Sequence, residues 1–351
     1  MDKKITYHEQ TDIQNTLRLR EVLKTLPPFC KDYFRAIDAT TTAKTRISYA
    51  YDIRIFFQFL LEENPAFKDY SMQDFKVDVL DQVKALDIEE YEEYLKVYHS
   101  GDKTETNGER GLKRKVSALR SFYAYYYKRE MIQTNPTVLV DVPKIHQKSI
   151  IRLDADEVAL LLDYIEHCGD QLTGQKRVYY EKTKERDLAL VTLLLGTGIR
   201  VSECVGLDIE DVDFKNNGIK VTRKGGNEMV VYFGPEVEKA LKNYLEVREG
   251  ITPLNGHEHA LFYSTQRRRM GVQAVENLVK KYAREITTTK KITPHKLRST
   301  YGTALYQETN DIYLVADVLG HRDVNTTKKH YAAMDDARRR RAASAVKLRE
   351  D

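Results

Sequence analysis

A chain of 351 residues is longer than the roughly 100–200 typical of one domain, so two domains are expected. Hydrophobic residues make up 41% and charged residues 31%, and no apolar run approaches the ~20 residues of a membrane helix, which argues against a membrane span. A formal net charge of only +4 suits an ordinary enzyme as well as a nucleic-acid binder, so the local placement of charge matters more than its sum.

Along the chain, the segment before Ala43 carries no usable motif. From there "AKTRISYAYDIRIFFQFLLE" places Ile47, Tyr51, Ile55 and Phe59 on one helical face, with Asn64 and Pro65 as a stop signal. "MQDFKVDVLDQVKALDIEEYEEYLKVYH" reads as a second helical segment. "ERGLKRKVSALRSFYAYYYKREMI" reads as a third, with Leu112, Val116, Leu119, Phe122, Tyr123 and Tyr126 at core spacing. The first half is therefore expected to be all helical. Its tyrosines read as packing residues, and the basic set Lys113, Arg114, Lys115 and Arg120, with Arg46 added, supplies the nucleic-acid candidates.

"TNPTVLVDVPKIHQKSI" contains Pro136 and Pro143 and little periodicity, as expected of a connection. The boundary is placed there, giving domains 1–145, with an extra N-terminal segment to about residue 35, and 146–351. "DADEVALLLDYIEHC" opens on Asp154 or Asp156 as a cap, and "KERDLALVTLLLGTG" is an apolar helix ended by glycine. "VDFKNNGIKVTRKGGNEMVVYFG" reads as a small β-meander with turns at Asn217–Gly218 and Gly225–Gly226. "AVENLVKKYARE", "LRSTYGTALYQE", "IYLVADVLG" and a final basic segment complete the helices, so the fold class is mainly α.

The basic residues are bunched in 108–120, 265–270, 278–291 and 336–349, a distribution that favours DNA over a set of merely solvated helix faces. The N-terminus has no apolar signal-peptide core, and Cys30, Cys168 and Cys204 lack paired spacing. Together these read as a reducing, cytoplasmic setting without structural disulfides. Nine histidines form no HExxH cluster and no Walker A loop is present, so no metal or nucleotide cofactor is expected.

The second half presents, in order, Arg200 and Glu203 in "GTGIRVSE", Lys224 in "VTRKGG", His295 and Arg298 in "TPHKLR", His321 in "VLGHRD" and then Tyr331. Each alone has an ordinary explanation in ion pairing, turn chemistry, capping or packing. The order and spacing resemble the tyrosine recombinase family, with its GxRxxE, hairpin lysine, HxxR, LGH and tyrosine. "TRISYAYDIRIFFQFL" and "SALRSFYAYYYKREMIQTNP" are similar to the core-binding domain of Xer-type members, particularly the single-recombinase branch of streptococci. Two positions depart from the usual pattern: Ser299 and Thr300 follow Arg298 where His-Thr is common, and His330 stands beside Tyr331.

The resemblance implies a helical, SAM-like core-binding domain and a mostly helical catalytic domain closing as a C-shaped clamp on double-stranded DNA at an inverted-repeat site. It implies catalytic roles for Arg200, Lys224, His295, Arg298, His321 and Tyr331, with Glu203 in support. Tyr331 would attack the phosphodiester to give a 3′-phosphotyrosyl bond and a free 5′-hydroxyl. Arg200 and Arg298 would clamp the charged phosphoryl group, His321 and His295 would donate or handle the tyrosine proton, and Lys224 would protonate the leaving oxygen.

A homotetramer on two sites, monomeric in free solution, would pass through a Holliday junction. The cell setting implied is bacterial cytoplasm, nucleoid-associated when on DNA. Chromosome or plasmid dimer resolution is the favoured role. Mobile-element integration, a type IB topoisomerase and a non-catalytic DNA-binding relative stand as alternatives. The segment after Tyr331 is a candidate for docking on a neighbouring protomer or on DNA.

Overall fold

The computed structural model describes residues 6–142, 144–146, 150–223, 226–321, 323–325 and 327. Within it the chain divides into two units, Met1–Lys148 and Ser149–Asp351.

Unit 1 is built around α3 (Ala43–Glu63) and α6 (Glu109–Lys128), which pack on each other. The buried stripe of α3 runs through Ile47, Ala50, Ile53, Phe57 and Leu60, while Tyr51 and Ile55 only border it. The inward face is thus rotated by about one position from the reading through Tyr51 and Ile55. The aromatic excess of this half fills the core: Phe122 meets Tyr33 and Tyr126 edge-on at centroid distances of 5.2 and 5.0 Å. The Tyr123 and Tyr126 hydroxyls donate to the Leu80 and Phe29 carbonyls (3.4 and 2.8 Å), which satisfies their buried polar ends and makes them packing residues.

Two elements before α3 lay outside the sequence reading. Helix α1 (Tyr7–Leu23) packs on α3 and starts with a capping box in which Glu9 and Thr6 exchange bonds. Helix α2 (Cys30–Ala36) follows.

The segment 72–99 is not one helix. It holds α4 (Val79–Gln82) and α5 (Ala85–Tyr94), separated where the extended Lys84 donates its amide to Asp87 (2.7 Å). It then runs into a hairpin of β1 (Val97–Ser100) and β2 (Lys103–Thr106), paired Val97↔Thr106 through Ser100↔Lys103. The all-helical expectation for this half is corrected by that hairpin. Gly101, at φ 60°, takes the left-handed backbone its two-residue turn requires.

Unit 2 packs α7 (Ala155–His167), α10 (Pro235–Glu249) and α12 (Pro294–Thr309) around α8 (Gly174–Thr197). Ala189, Leu190, Val191, Leu193 and Leu194 of α8 are all buried, so this stretch is apolar around its circumference, as a central helix must be. Asp154 caps α7 with Glu157 reaching back to it (2.8 Å). Gly198 ends α8 in the left-handed conformation (φ 62°), and a side chain there would strike Tyr301.

Helix α9 (Val201–Gly206) follows, then a sheet of β3 (Val212–Asp213), β4 (Gly218–Thr222) and β5 (Glu228–Tyr232) in antiparallel order β3-β4-β5. Ile219, Val221 and Val231 form its buried face. Helices α11 (Val272–Ile286) and α13 (Ile312–Leu319) complete the described elements. Among the described residues no helix is long and apolar enough to cross a membrane, and no group of His, Cys, Asp and Glu side chains is arranged to hold a metal ion.

Candidate active site

The site is organised on the C-terminal end of α13. A helix leaves its last four carbonyls without intrahelical donors and carries partial negative charge there, which favours cations. Here arginines meet four successive carbonyls. Arg223 donates to Asp317 and Val318 (3.3 and 2.7 Å), Arg298 donates to Leu319, and Arg200 donates to Gly320 (3.3 Å).

Gly320 is left-handed (φ 62°), and the His321 amide returns to the Ala316 carbonyl (2.9 Å), so the turn that presents His321 is closed by its own backbone. The His321 ring is half-buried, with Nδ1 2.6 Å from the buried Thr327 hydroxyl. That bond fixes the ring's orientation and determines which nitrogen points away from Thr327.

Arg200 and Arg298 are each held from a second side. Arg200 precedes α9, and Glu203 accepts both its backbone amide (2.8 Å) and its Nη1 (2.7 Å). Glu203 is buried, whereas the Arg200 side chain keeps 36% of its surface, enough to meet a ligand arriving from solvent. Arg298 is buried on α12 and also donates to the Gly198 carbonyl (2.6 Å), tying the ends of α8, α12 and α13 together. His295 stands exposed on the first turn of α12, three residues before Arg298 and so on the same helical face.

Arg223 was not among the sequence candidates. Its only signal was its place in "VTRKGG", just ahead of Lys224. Burial lowers its proton affinity and Arg200 adds repulsion, while Glu203 and Asp317 oppose both effects; a guanidinium still stays charged.

Arg200 and Arg298, roughly a hundred residues apart in the chain, are therefore brought together with His321 at one turn. The arrangement concentrates permanent positive charge with planar paired donors beside an imidazole, which is chemistry suited to a phosphoryl group acquiring negative charge. Lys224, Tyr331, His330 and the basic segment 336–349 lie outside the described residues.

In unit 1 the basic candidates separate. Lys113 and Arg114 are exposed on α6, and Arg114 pairs with Asp52 of α3. Arg120 is partly covered and donates to the Val140 carbonyl. Lys115 is corrected from an exposed contact to an internal one. It is buried, bonds Asn107 (2.8 Å) and lies 4.0 Å from Asp52. Burial lowers the Lys115 proton affinity and raises the Asp52 carboxyl to about 6, outweighing their mutual attraction. Arg46 is likewise mostly buried, against Asp38.

If Lys113 meets a phosphate, Lys113→Ala should reduce the slope of log binding constant against log salt by about 1. Lys115→Met should leave that slope unchanged and shift the urea midpoint, with a cost of about 1–3 kcal/mol because Asp52 loses a partner.

Residues 152–338 match the phage integrase family. The chain is 32% identical over 349 residues to tyrosine recombinase XerC of Caldanaerobacter subterraneus subsp. tengcongensis, covering 95% of this chain and 91% of that protein. It is 29% identical over 345 residues to tyrosine recombinase XerS of Streptococcus uberis, covering 91% and 95%. Its fold is similar to that of the XerH site-specific recombinase in a pre-cleavage complex with its difH substrate, with TM-score 0.62, 21% identity and coverage of 86% of this chain and 79% of that one. The mainly α architecture, the ordered arginines and histidines of unit 2 and these likenesses converge: the chain belongs to the phage integrase family of tyrosine recombinases, enzymes that break and rejoin DNA, and is of the Xer type.

Proposed function

We propose that the chain recombines DNA at an inverted-repeat site, with unit 1 as core-binding domain and unit 2 as catalytic domain. The observation that carries this reading is the convergence of Arg200, Arg298 and His321 on the end of α13. Two guanidiniums there would bracket the scissile phosphate and stabilise the charge that builds on its oxygens during attack. His321, oriented by Thr327, would donate to a phosphoryl oxygen or take the tyrosine proton, with His295 assisting.

The Tyr331 oxygen forms a bond to phosphorus, the bond to the 5′-oxygen breaks, and that oxygen takes a proton from Lys224. An unperturbed tyrosine has pKa about 10, so the surrounding cations help generate the phenolate at neutral pH. One phosphodiester becomes another ester of similar energy, and a partner strand's 5′-hydroxyl can reverse the step without ATP.

Four protomers on two sites would exchange one strand pair, form a Holliday junction and exchange the second pair. Resolution of chromosome or plasmid dimers in the bacterial cytoplasm is the role we assign, supported by the XerC and XerS relatives.

The test uses a nicked duplex carrying an inverted-repeat site from the source chromosome, whose short cleaved strand diffuses away and traps the intermediate. Denaturing electrophoresis should show a protein–DNA band, and a plasmid with two directly repeated copies should be converted to two circles. Relaxation of supercoils on any DNA, without exchange between sites, would instead identify a topoisomerase.

A further inference from the structure

Arg223 is unused by the catalytic assignment, yet it joins two parts of the site. Its backbone follows β4: the amide donates to the Asn227 carbonyl (2.7 Å), and its own carbonyl accepts from Gly226 (3.0 Å). Its side chain leaves the sheet and donates two bonds to successive carbonyls on the last turn of α13, 94 and 95 residues away in sequence. A planar guanidinium can span two adjacent carbonyls where an ammonium makes a single point contact.

The guanidinium lies against Gly320, the residue that caps α13, where a Cβ would oblige it to shift. Gly320 itself is required by its left-handed backbone (φ 62°). Lys224 is the next residue in the chain.

We propose that Arg223 is a positioning residue for strand cleavage. By fastening the residue that follows β4 to the α13 terminus, it sets where Lys224, next in the chain, approaches the leaving 5′-oxygen relative to His321. The proposal rests on the reading of Lys224 as general acid. It makes a prediction that a fold-supporting role does not, because a residue acting through the general acid matters only when the leaving atom needs a proton. A 5′-oxygen leaves as a strongly basic alkoxide unless protonated, whereas sulfur in the same bridging position leaves as a thiolate, stable near neutral pH.

The experiment measures the rate of covalent adduct formation at saturating protein on oxygen-bridged and sulfur-bridged nicked duplexes. It compares wild type, Arg223→Ala, Arg223→Lys and Lys224→Ala, with thermal midpoints recorded. Arg223→Ala and Lys224→Ala should each be slowed by about 10²-fold or more on oxygen and return to within about 10-fold of wild type on sulfur. Arg223→Lys, retaining charge and one donor, should fall between Arg223→Ala and wild type on oxygen.

Rescue of Lys224→Ala without rescue of Arg223→Ala would overturn the positioning role and leave the general acid standing. Failure of Lys224→Ala to recover on sulfur would overturn the general-acid reading and the proposal with it. An Arg223→Ala protein that cleaves the oxygen duplex at the wild-type rate would also reject the proposal.

Discussion

Tyr331→Phe is expected to abolish the covalent adduct on a nicked substrate, a loss on the order of 10⁴–10⁶-fold that places the product below detection. The substitution removes one oxygen and keeps the ring, so packing changes little, and no other group at that position can form the bond to phosphorus. DNA affinity should stay within about twofold of wild type, because affinity in such complexes comes mainly from phosphate contacts spread over the whole interface. Binding by mobility shift and adduct by denaturing gel, run on the same samples, separate the two effects. His330→Ala should retain the adduct, since His330 is read as a neighbour of the nucleophile. An adduct that survives Tyr331→Phe and disappears in another tyrosine variant would move the nucleophile elsewhere.

Arg298→Ala should lower adduct formation by more than about 10³-fold and also destabilise the protein, whereas Arg200→Ala should act chiefly on the chemistry. The difference follows from their surroundings. Arg298 is buried and donates to the Gly198 and Leu319 carbonyls, so its removal leaves two acceptors unsatisfied inside unit 2, at about 2–4 kcal/mol. Arg200 keeps 36% of its side chain in solvent, and its backbone amide still serves Glu203 after truncation.

The lysine variants refine the comparison. Each keeps the charge but loses the planar fork, and a loss of about 10²–10³-fold in adduct rate with unchanged DNA affinity would show that geometry, beyond charge, is needed. Equal losses of affinity and adduct rate in Arg200→Ala would make that residue a binding contact instead.

Much of the fold was legible because its causes are local. The helical extent of α3, the apolar repeat of α6, the Asp154 cap and the glycines that end α8 and α13 are written in neighbouring residues, and so is the Asn217–Gly218 turn before β4. The misreadings have local causes too. In 72–99, "VKALD" conceals a break that depends on Asp87 turning back to Lys84. "VYH" reads as the end of the same helix, although Gly101 and its β-prone neighbours mark a hairpin. Helix α1 carried a Thr6–Glu9 capping signal but only a weak apolar stripe.

By itself the sequence determined which residue types stand in which order: the GxRxxE, HxxR and LGH motifs, and helices long enough to bury an aromatic core. Only the tertiary structure decided that Lys115 turns inward to Asp52 and Asn107 while Lys113 remains outside. That choice depends on where α3 and α6 meet, and burial of a charge is tolerated only where another chain segment supplies its partners. It also decided that the end of α13 is the platform of the site. Carbonyls left open by one helix can be filled by arginines from three others parts of the chain, a bonding pattern that no local window of sequence contains.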